Sequence, residues 1–179
     1  MLLLLVPAAP ASGAAPLEWG IDVKPLQSNM QSIESAVGRS AASTRIFLKW
    51  DSAFPDSYHT WLRNSGHKVM ISVKPQYLNG TVIKWADVAA AQPGSRLYAE
   101  LVAWADRIKA FGGSTTFTFH HEPEATANIP FGTATTYKAA WQRVVTLFRS
   151  RAVGARFYWI VTANSFRMPS TERRHADKW

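Results

Sequence analysis

Two histidines and two glutamates lie together in residues 117–124, which read FTFHHEPE. The segment begins with a β-strand pattern, and the titratable side chains follow at its carboxyl end. In parallel α/β proteins, ligands bind and catalytic groups are placed at that end of the strands. A glutamate held there can act as the general acid or base of a hydrolytic reaction. Glu122 is therefore the candidate catalytic residue.

Side chains alternate between the two faces of a β-strand, so residues two apart share a face. Phe117 and Phe119 suit the face that packs against helices. The alternation therefore predicts that the opposite set points towards a ligand-binding interior: Thr116, Thr118, His120 and Glu122.

Three interpretations of the His-Glu segment compete: the acid/base group of a glycosidase, a metal site, and a polar cap with a purely structural role. Consecutive histidines on a strand point in opposite directions, and the sequence has no HExxH or similar spacing of metal ligands. The acid/base interpretation is favoured over the other two. We therefore predict neither a metal site nor an organic cofactor.

Short β-like runs alternate with helix-like stretches along the rest of the chain. The pattern predicts strands at residues 17–23, 44–50, 68–74, 115–121 and 155–163. It predicts helices near residues 29–37, 56–64, 82–91, 95–110 and 136–151. Because strand and helix alternate, we expect an α/β fold with a parallel sheet, in which helices make the crossovers.

Two architectures fit this order of elements: a complete, five-stranded doubly wound sheet, or the first units of a (β/α)8 TIM barrel. A whole barrel takes roughly 250 residues, and this chain has 179. Residues 165–179 are polar and lead towards an expected next strand. We therefore expect residues 16–179 to be a TIM barrel truncated to about its first five βα units, and inactive alone. A five-stranded hydrolase fold is disfavoured because a GxSxG motif is missing.

The pair His121-Glu122 after an apolar fourth strand resembles the His-Glu motif of glycoside hydrolase family 26, the β-mannanase family, and of its bacterial relatives. Residues 20–24 (GIDVK), 72–75 (SVKP) and 159–164 (WIVTAN) are similar to the ends of that family's first, third and fifth strands. The resemblance covers nearly all of residues 16–179, and the His-Glu segment is its specific part.

The resemblance implies a retaining β-glycanase on an eight-stranded barrel, with Glu122 as acid/base and His121 beside it in the substrate cleft. It also implies a nucleophilic glutamate after strand seven, which has no counterpart in these 179 residues. The sequence departs from the commoner mannanase pattern in the Pro-Glu that follows His-Glu, and Glu124 is expected to be a rim or supporting group. Asp22 and Asp51 are alternative inward carboxylates, although such residues more often fix a loop or cap a helix.

Polar and aromatic residues at predicted strand ends are candidates for substrate binding. Aromatic side chains present flat apolar faces on which sugar rings stack, and the chain has eight tryptophans. The substrate-binding set that we predict is His121, His120, Trp50, Tyr77, Asn164 and Trp159.

The amino terminus has the pattern of a signal peptide. Residues 1–6 are apolar and residues 7–15 are rich in alanine and proline, whereas a membrane span needs about 20 apolar residues. We expect residues 1–15 to direct secretion and the extracellular protein to have no membrane attachment after cleavage. The chain has no cysteine and therefore no disulfide.

The net charge is +8, and half of this excess lies in residues 151–179, which hold six basic and two acidic residues. No basic cluster with interleaved aromatics marks a nucleic-acid interface. We therefore expect a monomer whose partner is a polysaccharide and not a nucleic acid.

The sequence thus predicts a secreted glycoside hydrolase that cleaves a β-linked polysaccharide, mannan first, by a retaining mechanism with two carboxyl groups. The alternative is a non-catalytic carbohydrate-binding or cell-surface module on the same barrel, which would bind sugar without turnover.

Overall fold

The computed structural model describes residues 17–151 and 153–179, so the predicted signal peptide lies outside it. The strands and α-helices follow in the order β1 (Gly20–Ile21), α1 (Gln27–Val37), β2 (Ser43–Lys49), α2 (Ser57–Asn64), β3 (Lys68–Lys74), α3 (Trp85–Ala90), α4 (Arg96–Phe111), β4 (Thr115–Phe119), α5 (Ala134–Ser150) and β5 (Arg156–Phe157). Short 3-10 helices cover Thr126–Phe131, Ala163–Arg167 and Ala176–Lys178. In these described ranges, no helix has the length and apolar character needed to cross a bilayer.

The five strands form one all-parallel sheet in the order β1-β2-β3-β4-β5. The predicted α/β fold with a parallel sheet is confirmed. Strand order follows chain order without a reversal, whereas a doubly wound sheet reverses its order at a switch point. The doubly wound alternative therefore does not describe this sheet.

The central strands agree with the sequence pattern, and the outer strands are shorter than it predicts. β2 and β3 pair from Ser43 with Lys68 to Lys49 with Lys74. By contrast, β1 and β5 cover two residues each instead of residues 17–23 and 155–163. β4 ends at Phe119 and not at residue 121.

β5 pairs with Thr116 and Phe117 and stops two residues before β4 ends at Phe119. β4 then leaves the extended conformation at His120, whose φ is 47°. Beyond β1, Asp22 and Val23 line a cleft beside β2.

Three of the described α-helices, α2, α4 and α5, begin at side chains that accept from free backbone amides. The Asp56 carboxylate accepts from the His59 N–H at the start of α2, and the Ser95 hydroxyl accepts from the Tyr98 N–H at the start of α4. Thr133 forms a reciprocal capping box with Thr136 at the start of α5. Such caps satisfy amides that the first turn leaves without partners.

One face of the sheet is apolar and packs against helices. Its central row is Ile46, Ile71 and Phe117, all less than 5% exposed. Phe117 contacts Phe148 of α5 with ring centroids 4.9 Å apart. Burial of such side chains stabilises the fold by roughly 1.5–3 kcal/mol each.

The opposite face, called the polar face below, carries the residues of the other parity: Arg45, Phe47, Met70, Ser72, Thr116 and Thr118. The Arg45 guanidinium carbon lies 4.5 Å from the centroid of the Phe47 ring. Ser72 and Thr118, paired in register, are almost fully buried. Polar groups in the middle of a parallel sheet are costly to bury without partners, so this face is a candidate location for the functional site.

The assignment of faces predicts that alanine substitutions at two neighbouring residues of β3 lower the free energy of unfolding by different amounts. Replacing Ile71 with Ala should lower the free energy of unfolding by about 2–5 kcal/mol, because it leaves a cavity under the helices. Met70→Ala, on the half-buried polar face, should lower it by about 1 kcal/mol. Urea unfolding followed by tryptophan fluorescence measures both values. Equal losses for the two variants would contradict the assignment.

Candidate functional site

The chain leaves β4 through a turn in which two residues with side chains adopt the left-handed conformation. The φ angle is 47° at His120 and 52° at Glu122. This conformation costs a non-glycine residue roughly 1–2 kcal/mol, and it persists where surrounding contacts hold it and often marks a functional site.

Hydrogen bonds from three other elements hold this turn in place. The Tyr137 hydroxyl of α5 donates to the carbonyl oxygens of Phe119 and His120, at 2.8 and 3.1 Å. The Glu122 N–H donates to the Ile160 carbonyl oxygen at 2.7 Å. Asn128 donates through its side-chain amide to the Glu122 carbonyl oxygen at 2.8 Å. Burial raises the pKa of Tyr137, so its hydroxyl stays a donor at neutral pH.

The turn places His121 on the polar face. Its Nδ1 lies 2.7 Å from the Ser72 hydroxyl oxygen of β3. Its ring meets Phe47 of β2 edge to face, with centroids 5.0 Å apart. His121 is therefore held by the two central strands next to the predicted acid/base.

The prediction that His120 points to the interior and binds substrate is wrong. The side chain is 1% exposed, its Nδ1 accepts from the Trp85 indole N–H at 3.0 Å, and its ring contacts Phe131. The left-handed turn interrupts the alternation of the strand, so the two histidines exchange the faces that strict alternation predicts. His120 is a core residue under Trp85.

Glu122 is half-buried, and its negative charge interacts with Arg45 of the polar face. Burial lowers the pKa of Arg45, and the negative charges of Glu122 and Asp22 act in the opposite direction. A guanidinium remains charged at neutral pH. Arg45 is therefore a cation close to two carboxylates that follow β4 and β1.

A cleft of about 360 Å³ opens at the carboxyl ends of β1 and β2. Its lining includes Asp22, Arg45, Phe47, Ser52, Asp56 and Leu78. Two residues of this lining also belong to the surroundings of His121: Phe47 contacts its ring, and Arg45 contacts Ser72. The volume lies in the range of small-molecule sites, about 300–1,000 Å³.

Glu124 is a buried group that supports the turn after β4, and it does not lie at the exposed edge of the site. It is 1% exposed, and its Oε1 accepts from the Thr162 N–H at 2.6 Å and from the Ser165 hydroxyl at 3.0 Å. These bonds join the turn after β4 to the segment that follows β5. Glu124 is thus a positioning group for two adjacent loops.

Two of the predicted sugar-binding aromatics belong to a different part of the molecule. Trp50 is 4% exposed, and its indole N–H donates to Glu100 of α4 at 2.9 Å. A ring that is buried in this way cannot stack on a sugar, so the prediction for Trp50 is wrong. Tyr77 donates to the same carboxylate at 2.7 Å, beside a cleft of about 310 Å³ against α4.

The last two predicted residues follow β5 and do not meet Glu122. Trp159 packs against Tyr137 and Trp141 of α5, with centroids 4.9 and 5.5 Å apart, so its ring lies on the helix side of the sheet. Asn164 is exposed on the 3-10 helix Ala163–Arg167. Of the predicted set, the structure therefore brings together His121 and Glu122 alone.

Among the alternative carboxylates, Asp22 lies in the cleft and Asp51 does not. Asp51 accepts from the Leu78 N–H at 2.7 Å, so it fixes a loop. Asp22 lines the 360 Å³ cleft.

Arg45, Phe47 and Ser72 lie around His121, and none of them is in the set predicted from the sequence. Their signal was present in the strand pattern: a charged residue inside TRIFLK and a hydroxyl inside KVMISVK break otherwise apolar strands. Only the register of the sheet shows that these breaks meet on one face.

Within residues 17–151 and 153–179, no three His, Cys, Asp or Glu side chains form a group that would hold a metal ion. The chain matches no model of a protein family, and no curated protein matches it. The resemblance to glycoside hydrolase family 26 therefore stays a prediction from the sequence segments, of which the His-Glu segment is the specific one.

The histidines predict a pH dependence of stability. Burial lowers the pKa of His120 to about 3 and that of His121 to about 4, whereas an unfolded histidine titrates near 6.5. As the pH falls below about 6.5, the unfolded chain binds protons that the folded chain does not, so stability falls. The loss is at most about 1.4 kcal/mol per pH unit for each histidine, and the total loss is larger for His120, whose pKa is lowered further.

Urea unfolding between pH 7 and pH 4 measures this slope. His120→Gln keeps an acceptor for the Trp85 indole and removes the titration, so its stability should fall less steeply than that of the wild type. Every other titratable group is common to the two proteins. Parallel plots of the free energy of unfolding against pH for the two proteins would show that His120 does not contribute to the pH dependence.

The role of Glu124 predicts a large loss of stability on truncation. Glu124→Ala leaves the Thr162 amide without an acceptor, which costs about 1–3 kcal/mol. The Ser165 hydroxyl loses Glu124 as well but keeps the Thr162 hydroxyl as a partner at 2.9 Å. The control is Glu172→Ala, an exposed carboxylate, whose effect should stay within about 0.5 kcal/mol. Thermal and urea unfolding measure both, and equal effects would contradict the positioning role.

Proposed function

We propose that the protein is a glycoside hydrolase that cleaves β-linked polysaccharide, mannan first, with Glu122 as its acid/base. The observation that carries the proposal is the position of Glu122. It is half-buried at the carboxyl end of β4, beside His121 and close to Arg45. Catalytic groups of parallel α/β enzymes lie at this end of the strands.

The finer fold belongs to the same proposal: the sheet is the first part of a (β/α)8 barrel, with the polar face as its interior. Two observations support it. The strands follow one another in chain order without reversal, and the apolar face packs against helices while the other face carries arginine and hydroxyl groups.

The proposed chemistry uses Glu122 twice. As an acid, it gives its proton to the glycosidic oxygen while a second carboxylate attacks the anomeric carbon and the sugar–oxygen bond breaks. As a carboxylate, it then takes a proton from water, which attacks the anomeric carbon and releases the second carboxylate. The second carboxylate is not assigned to a residue in 17–179.

His121 is proposed to bind a sugar oxygen beside Glu122. Burial and the nearby charges of Arg45 and Lys74 lower the pKa of His121 to about 4. The imidazole is therefore neutral at pH 7 and offers one donor and one acceptor. Because Glu122 and His121 are adjacent in a turn held from three sides, one sugar can meet both.

The test is hydrolysis of a panel of soluble β-glycans by the full-length gene product and its Glu122→Gln variant. Loss of the acid/base should lower the rate by about 10²- to 10⁴-fold. Glu172→Gln, at an exposed position, is the matched control and should leave the rate unchanged. Unfolding curves of all three proteins check that the folded state is intact.

Two results would count against the proposal in different ways. Equal rates for the wild type and Glu122→Gln would remove Glu122 from the mechanism. Binding of a polysaccharide by the wild type without any turnover would favour the non-catalytic carbohydrate-binding module.

A further inference from the structure

We propose that Arg45 and Ser72 are positioning residues that fix the tautomer of His121, so that its Nε2–H is presented as a hydrogen-bond donor to an oxygen of the substrate. The first part concerns the free protein. The second part, the donation to a sugar oxygen, rests on the proposed function.

The Ser72 hydroxyl lies between the guanidinium of Arg45 and the imidazole of His121. Its hydroxyl oxygen lies 3.4 Å from Nη2 of Arg45 and 2.7 Å from Nδ1 of His121. A guanidinium has five N–H groups and no acceptor. Arg45 can therefore only donate, and the Ser72 oxygen accepts from it.

The remaining question is where the single Ser72 hydroxyl proton goes. If Nδ1 of His121 carried a proton and donated it to Ser72, the hydroxyl proton would have to find another acceptor. Ser72 is 1% exposed, and a buried donor without a partner is rare and costly. If the hydroxyl instead donates to Nδ1, the Ser72 hydroxyl, Nη2 of Arg45 and Nδ1 of His121 all have partners.

This direction of donation determines which ring nitrogen of His121 carries the proton. A neutral imidazole whose Nδ1 accepts carries its proton on Nε2. The edge contact with Phe47, at 5.0 Å between centroids, and the bond to Ser72 together fix the plane of the ring. His121 therefore selects an oxygen acceptor and disfavours a donor at that position, which matches a hydroxyl or ring oxygen of a sugar.

The chain offers a matched control on the neighbouring strand. Thr118 is paired with Ser72 in register, lies on the same face and is 0% exposed. Its hydroxyl has no hydrogen-bond partner among the described residues. Thr118→Val therefore removes a buried hydroxyl beside Ser72 without touching the series that reaches His121.

The experiment is a long-range proton–nitrogen NMR spectrum of the 15N-labelled protein at pH 7. The chain has five histidines, and a His121→Gln variant assigns the signals of His121. We expect the wild type and Thr118→Val to show one tautomer, with the proton on Nε2. Ser72→Ala should give a mixture of tautomers, and Ser72→Thr, which restores the hydroxyl, should return the single form.

A proton on Nδ1 in the wild type, or an unchanged tautomer in Ser72→Ala, would overturn the inference without reference to activity. With a hydrolysed glycan in hand, Ser72→Ala should lower kcat/KM roughly 3- to 10-fold, the effect of one weakened hydrogen bond. Thr118→Val should keep the wild-type value. If the NMR result holds and no glycan is hydrolysed, the tautomer assignment stands and the proposed function fails.

Discussion

The left-handed turn at the end of β4 is the constraint on which the site depends. An extended continuation would send His120 to the polar face and His121 to the helices. The φ angles of 47° at His120 and 52° at Glu122 reverse this outcome. They are held by the buried hydroxyl of Tyr137 and the carbonyl oxygen of Ile160. The hydrophobic packing of α5 on the sheet thus supplies the donor that maintains a locally unfavourable backbone, and the reversal brings His121 and Glu122 to one surface.

That surface is unusual for a parallel sheet, because its central rows carry Arg45 and Ser72 where apolar residues are the rule. A buried polar group is stable when each donor and acceptor has a partner. The Ser72 hydroxyl, Nδ1 of His121 and Nη2 of Arg45 meet this requirement, whereas Nε of Arg45 has no partner among the described residues. The carboxylates of Asp22 and Glu122 offset the charge of Arg45. Thr118, whose hydroxyl lacks a partner in the described residues, shows that the face is not optimised for stability alone.

The sequence was sufficient for the parts of the fold that periodicity controls. Strands β2 and β3 and the amphipathic helices follow from apolar spacing, and their order predicts a parallel sheet. The ends of β1, β4 and β5 were misplaced, because pairing with a neighbour decides them. At the site, the strand-end position of Glu122 could be predicted. The burial of Trp50 and His120 could not, because it depends on contacts with Glu100 and Trp85, 50 and 35 residues away. Arg45 and Ser72 remained hidden for the same reason, since only the sheet register brings them to His121.

The most direct measurement concerns proton donation by Glu122. Aryl β-glycosides of the sugar that the protein hydrolyses can be prepared with leaving groups of decreasing pKa, which need progressively less help from a general acid. If Glu122 is the acid, the ratio of wild-type to Glu122→Gln rates of bond cleavage is large for poor leaving groups and approaches one for the best. A ratio that is the same for every leaving group would contradict the account, because Glu122 would then support the site without donating the proton.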